Sequence, residues 1–275
     1  MIHWQVNVEK HNIQNKKTQN KMKVLKPIDS KYFVSIDIET VRIADNFDDL
    51  PELFQDAWAH KNKQNGEIPT NEELADLWKK TSSLYAEFSK ICAISFAFLN
   101  DTGEILFCKG IASEDEKEVL TEAYHFLNRI SMGSPKYRLI GHATNYFDYP
   151  FMCKRYVING IEIPKILDDT DKKPWEKLNQ CTNTLWKMGC TGPGSSLQAL
   201  CVALDIPISK VDMVGDEVGR EFFKGNILGI KDYCNKDVIA TFNVLRRFKY
   251  ESIFTFEDVV YIDEAKTEEV DTVQT

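Results

Sequence analysis

The chain has 275 residues, 43% hydrophobic and 28% charged, with a formal net charge of −8. That length suits one large domain with additions and is ample for a core. The acidic balance argues against a protein that holds nucleic acid by bulk positive charge. The opening stretch MIHWQVNVEKHN has no apolar core of signal-peptide length, and no apolar run approaches the roughly 20 residues of a membrane helix. The seven Cys form no CxxC pair, and several sit in apolar runs such as ICAISFAF and LCVALDI. The expectation is a soluble, cytoplasmic protein with reduced thiols, no zinc site and no membrane partner.

Residues 1–30 read as a polar, Lys-rich arm: residues 1–31 carry seven Lys against Glu9 and Asp29. The main domain is expected over 31–256. Its first strand is FVSIDIET, where Val34, Ile36 and Ile38 alternate with Ser35, Asp37 and Glu39. A long polar segment follows and is expected as a helical insertion over about 41–88, with NEELADLWKK as helix. It is read either as a solvated addition or as a cover over the substrate. ICAISFAFLN and EILFCKG read as strands joined at Gly103. SEDEKEVLTEAYHFLNRI reads as a helix capped by Ser113, with Val119, Leu120, Ala123, Phe126, Leu127 and Ile130 at helical spacing.

YRLIGHA then reads as a buried strand and FDYPFMCKRYVING as a helix stopped at Gly160. Residues 161–194 read as irregular. SSLQALCVALDI is expected as a helix capped by Ser195 or Ser196, and IKDYCNKDVIATFNVLRRFKY as a long helix. Residues 257–275 form an acidic tail, with seven acids against Lys266 and a short strand at VVYID. Three early strands with a short connection suggest a meander. A strand entered through a helix suggests parallel addition. The fold class is therefore α/β, a mixed sheet flanked by helices on both faces.

Chemistry enters through the acids. Strand side chains alternate, so Asp37 and Glu39 share one face. Two adjacent carboxylates repel and are costly to desolvate, and a divalent cation is the simplest compensation. Asp148 follows an apolar strand at the start of a helix, where α/β proteins place sites but where an acid also suits the helix dipole. Tyr233 and Asp237 stand four apart on the long helix and are neighbours, either at the edge of a core or in a site. Four convergent carboxylates suit Mg²⁺ or Mn²⁺ rather than zinc. Two such ions can stabilise both oxygens of a phosphodiester displacement.

DIET, then NYFD, then YCNKD resemble the three ordered motifs of the DEDD exonuclease superfamily, of ribonuclease H-like fold. Tyr233 four before Asp237 is similar to the Tyr-type branch. The other branch carries a His five before its last acid, where this chain has Asp232. GHATNYFDYPF is similar to the second motif of family B DNA polymerase exonuclease domains. The wider frame (KPWE, LWKMG, SLQALC and YCNKDVIAT) resembles stand-alone predicted 3'-5' exonucleases related to them, over about residues 31–250.

The resemblance implies a two-metal site of Mg²⁺ or Mn²⁺. Asp37, Glu39 and Asp237 are expected to hold the nucleophile-side ion, with Asp37 bridging to the second. Asp148 is expected to support the second ion, partly through water, and Tyr233 to orient the attacking water. Thr40 is expected near the terminal nucleotide and Asn145 at the substrate backbone or in a turn. Phe147 is expected in the core or as a stacking platform. His142 is read as bonding locally near its strand end rather than as a base. Lys172, Lys173 and Trp175 form a charge-plus-aromatic set that suits either a surface loop or a nucleic-acid strand.

The expected substrate is single-stranded DNA, favoured over RNA, cut from its 3' end by a monomer to release 5'-monophosphates. Metal-mediated phosphate capture with few Lys or Arg contacts implies a modest salt dependence. The alternatives are a 3'-5' exoribonuclease with the same site and a non-catalytic nucleic-acid-binding module of the same fold.

Overall fold

The computed structural model describes residues 28–168, 172–173, 176–208 and 217–262. Most of the Lys-rich arm, Trp175 and the acidic tail from residue 263 therefore lie outside the described residues. Six strands are present among the rest: β1 (Phe33–Arg42), β2 (Ser89–Leu99), β3 (Leu106–Ala112), β4 (Arg138–Gly141), β5 (Gln180–Cys181) and β6 (Val259–Tyr261). They form one sheet in the order β5-β4-β1-β2-β3-β6. β1, β2 and β3 make the antiparallel meander expected from the sequence. β4 adds parallel to β1, β5 parallel to β4 and β6 parallel to β3. The helix between β3 and β4 is α3 (Glu116–Gly133).

The alternation along β1 divides the core. Val34, Ile36 and Ile38 join Val119 and Leu120 of α3 and Met152 and Tyr156 of α4 (Asp148–Ile158). On the opposite face Phe33 joins Val238, Phe242 and Leu245 of α8 (Ile227–Phe248). Val41 packs with Ile230 and Cys234 of α8 and with Val218 and Phe222 of α7 (Val218–Phe223). Helices thus cover both faces. Phe33, Ile36, Phe96 and Phe242 are wholly buried, and each such side chain contributes about 1.5–3 kcal/mol by leaving water.

Some local expectations are corrected. α3 is capped by Asp115, whose carboxylate accepts from the Lys117 N–H, and not by Ser113. Ser113 is held back because its own N–H bonds the Cys92 carbonyl at 3.2 Å, which extends strand pairing to that point. The stretch 161–194 is not wholly irregular, since it contains β5 and α5 (Thr182–Trp186). α6 (Leu197–Ala203) is capped by Ser196, which accepts from Ala199 N–H.

The insertion after β1 holds α1 (Glu52–Lys61) and α2 (Asn71–Thr81). α2 begins at a capping box made by Thr70 and Glu73. Phe47, Leu50, Trp58, Leu74, Trp78 and Phe88 form a cluster of their own. The Trp58 and Trp78 rings meet edge-on at 5.2 Å, and their indole N–H groups donate to the Leu74 and Ala44 carbonyls. The segment is a packed satellite of the sheet.

Candidate active site

Asp37 and Glu39 lie on the face of β1 that α8 covers, paired in register with Ser95 and Ala93 of β2. Just beyond Glu39 the register shifts: Thr40 pairs with Ile91, and Cys92 is the extra residue. A bulge at this place bends the strand and re-aims its side chains. Glu39 is only 8% exposed. Among the described residues its carboxylate has no hydrogen-bond donor and no ion-pair partner.

Asp148 arrives from the other layer, around the end of the sheet. β4 stops at Gly141, and the chain turns through Ala143 at φ +63. Tyr146 N–H bonds the Ala143 carbonyl, and α4 then starts at Asp148 itself. The Ile38 N–H and the residue's own N–H favour the charged form of the Asp148 carboxylate. The link to Ile38 ties it to β1 between the two strand acids. Gly141 lets the turn close: an added Cβ would sit 2.9 Å from the Ile36 carbonyl oxygen and closer still to Thr144 Cγ2.

α8 supplies the remaining groups from successive turns. Tyr233 and Asp237 are neighbours at their four-residue spacing, and the Tyr233 hydroxyl favours the charged form of the Asp237 carboxylate. Cys234 points at β1, with Sγ 3.5 Å from the Asp37 carbonyl oxygen and 3.6 Å from Asp37 Oδ2. Ligand atoms of Asp37, Glu39 and Cys234 lie within 4.8 Å of one another. One residue further, Asn235 accepts from Ser95 at 2.8 Å and fastens the helix to β2 beside Asp37.

The electrostatics follow from burial. The Asp37 carboxyl is pushed well above its ordinary range, first by desolvation and then by Glu39, Asp148 and Asp237; the Cys234 thiol opposes the rise. Glu39 is raised by burial, Asp237 and Asp148. Burial lifts Asp148 to about 7 against its two backbone donors. It lifts Asp237 to about 6 against the Tyr233 hydroxyl. Burial and the surrounding acids raise Tyr233 as well. The four acids therefore act on one another. Among the described residues no Lys, Arg or His forms an ion pair with any of them. An external cation fits such a set, and its oxygen donors suit a hard divalent ion.

The other anticipated residues are placed as follows. The Thr40 hydroxyl donates to the Ser83 carbonyl at 2.9 Å and ties β1 to the exit of the insertion. Asn145 is half-buried in the turn before α4. Phe147 packs on Phe151 with ring centres 5.2 Å apart, against the α3–α4 core. Between them Tyr146 is 74% exposed, with Lys187 Nζ 6.0 Å from its ring centre. Neither Tyr146 nor Cys234 was singled out from the sequence. The adjacency of Cys234 to Tyr233 on a helix packed against the acidic strand was the available signal for the thiol.

His142 bonds across the sheet edge and not locally. Its Nδ1 lies 2.8 Å from the Thr182 hydroxyl and its Nε2 2.8 Å from the Ser195 carbonyl, so both nitrogens are engaged away from the acids. Lys172 is half-buried and Lys173 exposed.

A family described as predicted 3'-5' exonucleases related to the exonuclease domain of PolB matches residues 83–269. That span includes Asp148, Tyr233 and Asp237 and begins after Asp37 and Glu39. No curated protein matches the chain. Among solved structures, the family B DNA polymerase from the hyperthermophilic archaeon Pyrobaculum calidifontis is similar at a TM-score of 0.48 and 12% identity. The likeness covers 78% of this chain and 24% of the polymerase, so the chain spans about a quarter of that protein. The RNase domain of the yeast Pop2 protein is similar at a TM-score of 0.37 and 11% identity, over 80% of this chain and 76% of that one. With more than half of its length matched, the chain belongs to the family of predicted 3'-5' exonucleases related to the exonuclease domain of PolB.

Proposed function

We propose that this exonuclease removes nucleotides from the 3' end of single-stranded DNA and releases 5'-monophosphates, with two Mg²⁺ or Mn²⁺ ions held by Asp37, Glu39, Asp148 and Asp237. The observation that carries the proposal is the convergence of four carboxylates from β1, α4 and α8, Glu39 and Asp148 buried and Asp37 and Asp237 half-buried, with no ion-pair partner among the described residues. When bound there, divalent cations supply the charge that activates water and stabilises the attacking and leaving oxygens of a phosphodiester.

The chain's own groups have separable roles. Tyr233 stays a protonated phenol at neutral pH, because burial and the acids raise its pKa. Its hydroxyl, steadied by Asp237, orients the attacking water. The Cys234 thiol donates to Asp37 and fixes that carboxylate's direction. The Ile38 N–H of β1 favours the charged form of Asp148 and orients its carboxylate toward the strand acids. Tyr146 is exposed beside the acidic turn and offers a face for the terminal base, while Asn145 and Thr40 serve its sugar-phosphate and 3' end. Phe147 supports this turn from beneath through Phe151. The preference for DNA rests on the polymerase-like motifs in GHATNYFDYPF.

The test uses matched 5'-labelled single-stranded DNA and RNA, Mn²⁺ or Mg²⁺, a chelator, and Asp37→Ala. A descending ladder on DNA, abolished by chelator and by the variant, is the expected result. A faster ladder on RNA reassigns the substrate. Intact label on both leaves a binding module of the same fold.

A further inference from the structure

A second charged site lies at the far end of the sheet from the acids. A cleft of about 240 Å³ opens where β4 begins, lined by Ser131, Tyr137, Arg138, Lys165, Lys172 and Asn179 among others. Arg138 pairs in register with Phe33, four residues before Asp37, which is roughly 13 Å along the strand at ~3.3 Å per residue. The cleft belongs to the α3–α4 side and shares no lining residue with the acidic site.

Its charge runs against that of the whole chain. The protein carries a net −8, yet among the described residues three cations and no carboxylate line this cleft. The Arg138 guanidinium is fixed by its backbone: Nη1 donates to the Pro135 and Tyr137 carbonyls, both at 2.6 Å. The rest of the fork, Lys165 and Lys172 have no partner among the described residues. Two of the polar neighbours are already engaged. Ser131 donates to the Leu127 carbonyl, and Asn179 accepts from Leu139 N–H while donating to the Ile166 carbonyl. Ser134 and Tyr137 add hydroxyls to the lining, and Arg138, Lys165 and Lys172 supply its positive charge.

The rim adds to the same potential. Tyr137 meets Tyr32 edge-on at 5.6 Å, and Lys136 and Lys31 stand over the Tyr32 ring at 5.2 and 5.5 Å. Asp101, the acid that acts on Tyr137, is not among the lining residues.

We propose that this cleft is an anion site for the phosphate of a nucleotide. A planar guanidinium held in place and flanked by two ammonium groups matches a tetrahedral phosphate, which accepts a two-pronged bond from Arg and point charges from Lys. The volume falls below the roughly 300–1,000 Å³ of drug-sized pockets, so it suits one phosphate and its sugar. The phosphate comes either from a phosphodiester of a bound strand or from a free 5'-monophosphate.

Thermal melting of the dialysed, metal-free protein tests this, because its four unneutralised acids repel phosphate from the other site. The outcome is therefore separable from the exonuclease reading. The probes are inorganic phosphate, a nucleoside 5'-monophosphate and a short single-stranded oligonucleotide, each against sodium chloride of equal ionic strength. The expected result is a saturable rise in melting temperature with at least one probe. Lys165→Glu with Lys172→Glu should remove at least nine-tenths of that rise. Lys165→Gln with Lys172→Gln gives the same reading if charge reversal impairs folding. A response to the monophosphate identifies the monoester as ligand, and a response to the oligonucleotide alone identifies the strand. No rise with any probe, or a rise retained by both double variants, overturns the proposal.

Discussion

Asp148→Asn should inactivate the enzyme and yet make the metal-free protein more stable than the wild type at alkaline pH. The native fold raises the Asp148 carboxyl from its ordinary 3.8 to about 7, chiefly by burial. Stability from such a group is fully present below the unfolded pKa, near pH 4, and is lost as pH rises through about 7. At about 1.36 kcal/mol for each pKa unit, the loss by about pH 8 is on the order of 4 kcal/mol. Asparagine has no charge to desolvate. Its carbonyl oxygen keeps an acceptor for the Ile38 N–H, and its amide donates toward the neighbouring acids. One weakened hydrogen bond costs about 1 kcal/mol, so the sign survives. The net gain of about 3 kcal/mol, at about 2–4 °C per kcal/mol for a chain of this size, should make dialysed Asp148→Asn melt roughly 6–12 °C above wild type at about pH 8. The two should converge near pH 4, and saturating Mn²⁺ should narrow the alkaline gap by stabilising the wild type. Scanning calorimetry across that range decides it. A variant that melts at or below wild type at alkaline pH, or a gap that ignores pH, refutes the placement of Asp148 among buried, unneutralised acids.

Mn²⁺ affinity measured by titration calorimetry should weaken as pH falls from about 8 to about 6, because Asp148 and Asp237 take up protons near 7 and 6 and ligands must be deprotonated to bind; a flat profile contradicts the assigned ligands. Tyr233→Phe should lower kcat about a hundredfold with KM little changed, as expected for a group that acts on the attacking water; an effect confined to KM would place it in substrate binding. Tyr146→Ala should weaken single-strand binding by about 1–3 kcal/mol with no loss of thermal stability, since a 74%-exposed ring packs little of the core; unchanged affinity removes it from the substrate path. Gly141→Ala should destabilise the fold by about 1–3 kcal/mol in urea, because the new methyl meets Thr144 and the Ile36 carbonyl; an unaltered midpoint would mean that the turn yields.

What could be read from the sequence was what short periods encode. The two-residue period of FVSIDIET put Asp37 and Glu39 on one face, and α8 covers that face. The four-residue spacing of Tyr233 and Asp237 set the phenol beside the carboxylate. The meander and the parallel fourth strand followed from connection lengths. Contacts between distant segments were not legible. His142 finds partners forty and fifty-three residues away. β5 exists as two residues because Ile140 and Gly141 offer Gln180 and Cys181 an edge. Five-residue α5 is too short to show a helical period. Within NYFD nothing local told which aromatic faces solvent; the turn through Ala143 exposes Tyr146 and turns Phe147 inward.

A comparison within the molecule bears on the missing counter-charge of the acidic site. Glu116 is as buried as Glu39, 6% against 8% exposed. Its two oxygens accept from the Ile91 N–H at 2.7 Å, from Arg155 Nε and the Asn159 amide at 2.8 Å, and from Arg155 Nη2. Arg155 donates in addition to the Ala86 carbonyl at 2.7 Å. One carboxylate thereby locks α3, α4 and the start of β2 together, behind the helix that begins with Asp148. Removing one partner of such a pair costs about 3–5 kcal/mol, because it strands a buried charge. The chain thus supplies full compensation where an acid is structural. Around Asp37, Asp148 and Asp237 it supplies backbone amides, a thiol and a phenol, and among the described residues no cation pairs with these acids or with Glu39. Those donors orient the oxygens without neutralising them, which is the arrangement a metal-binding site requires: direction from the protein and charge from the ion.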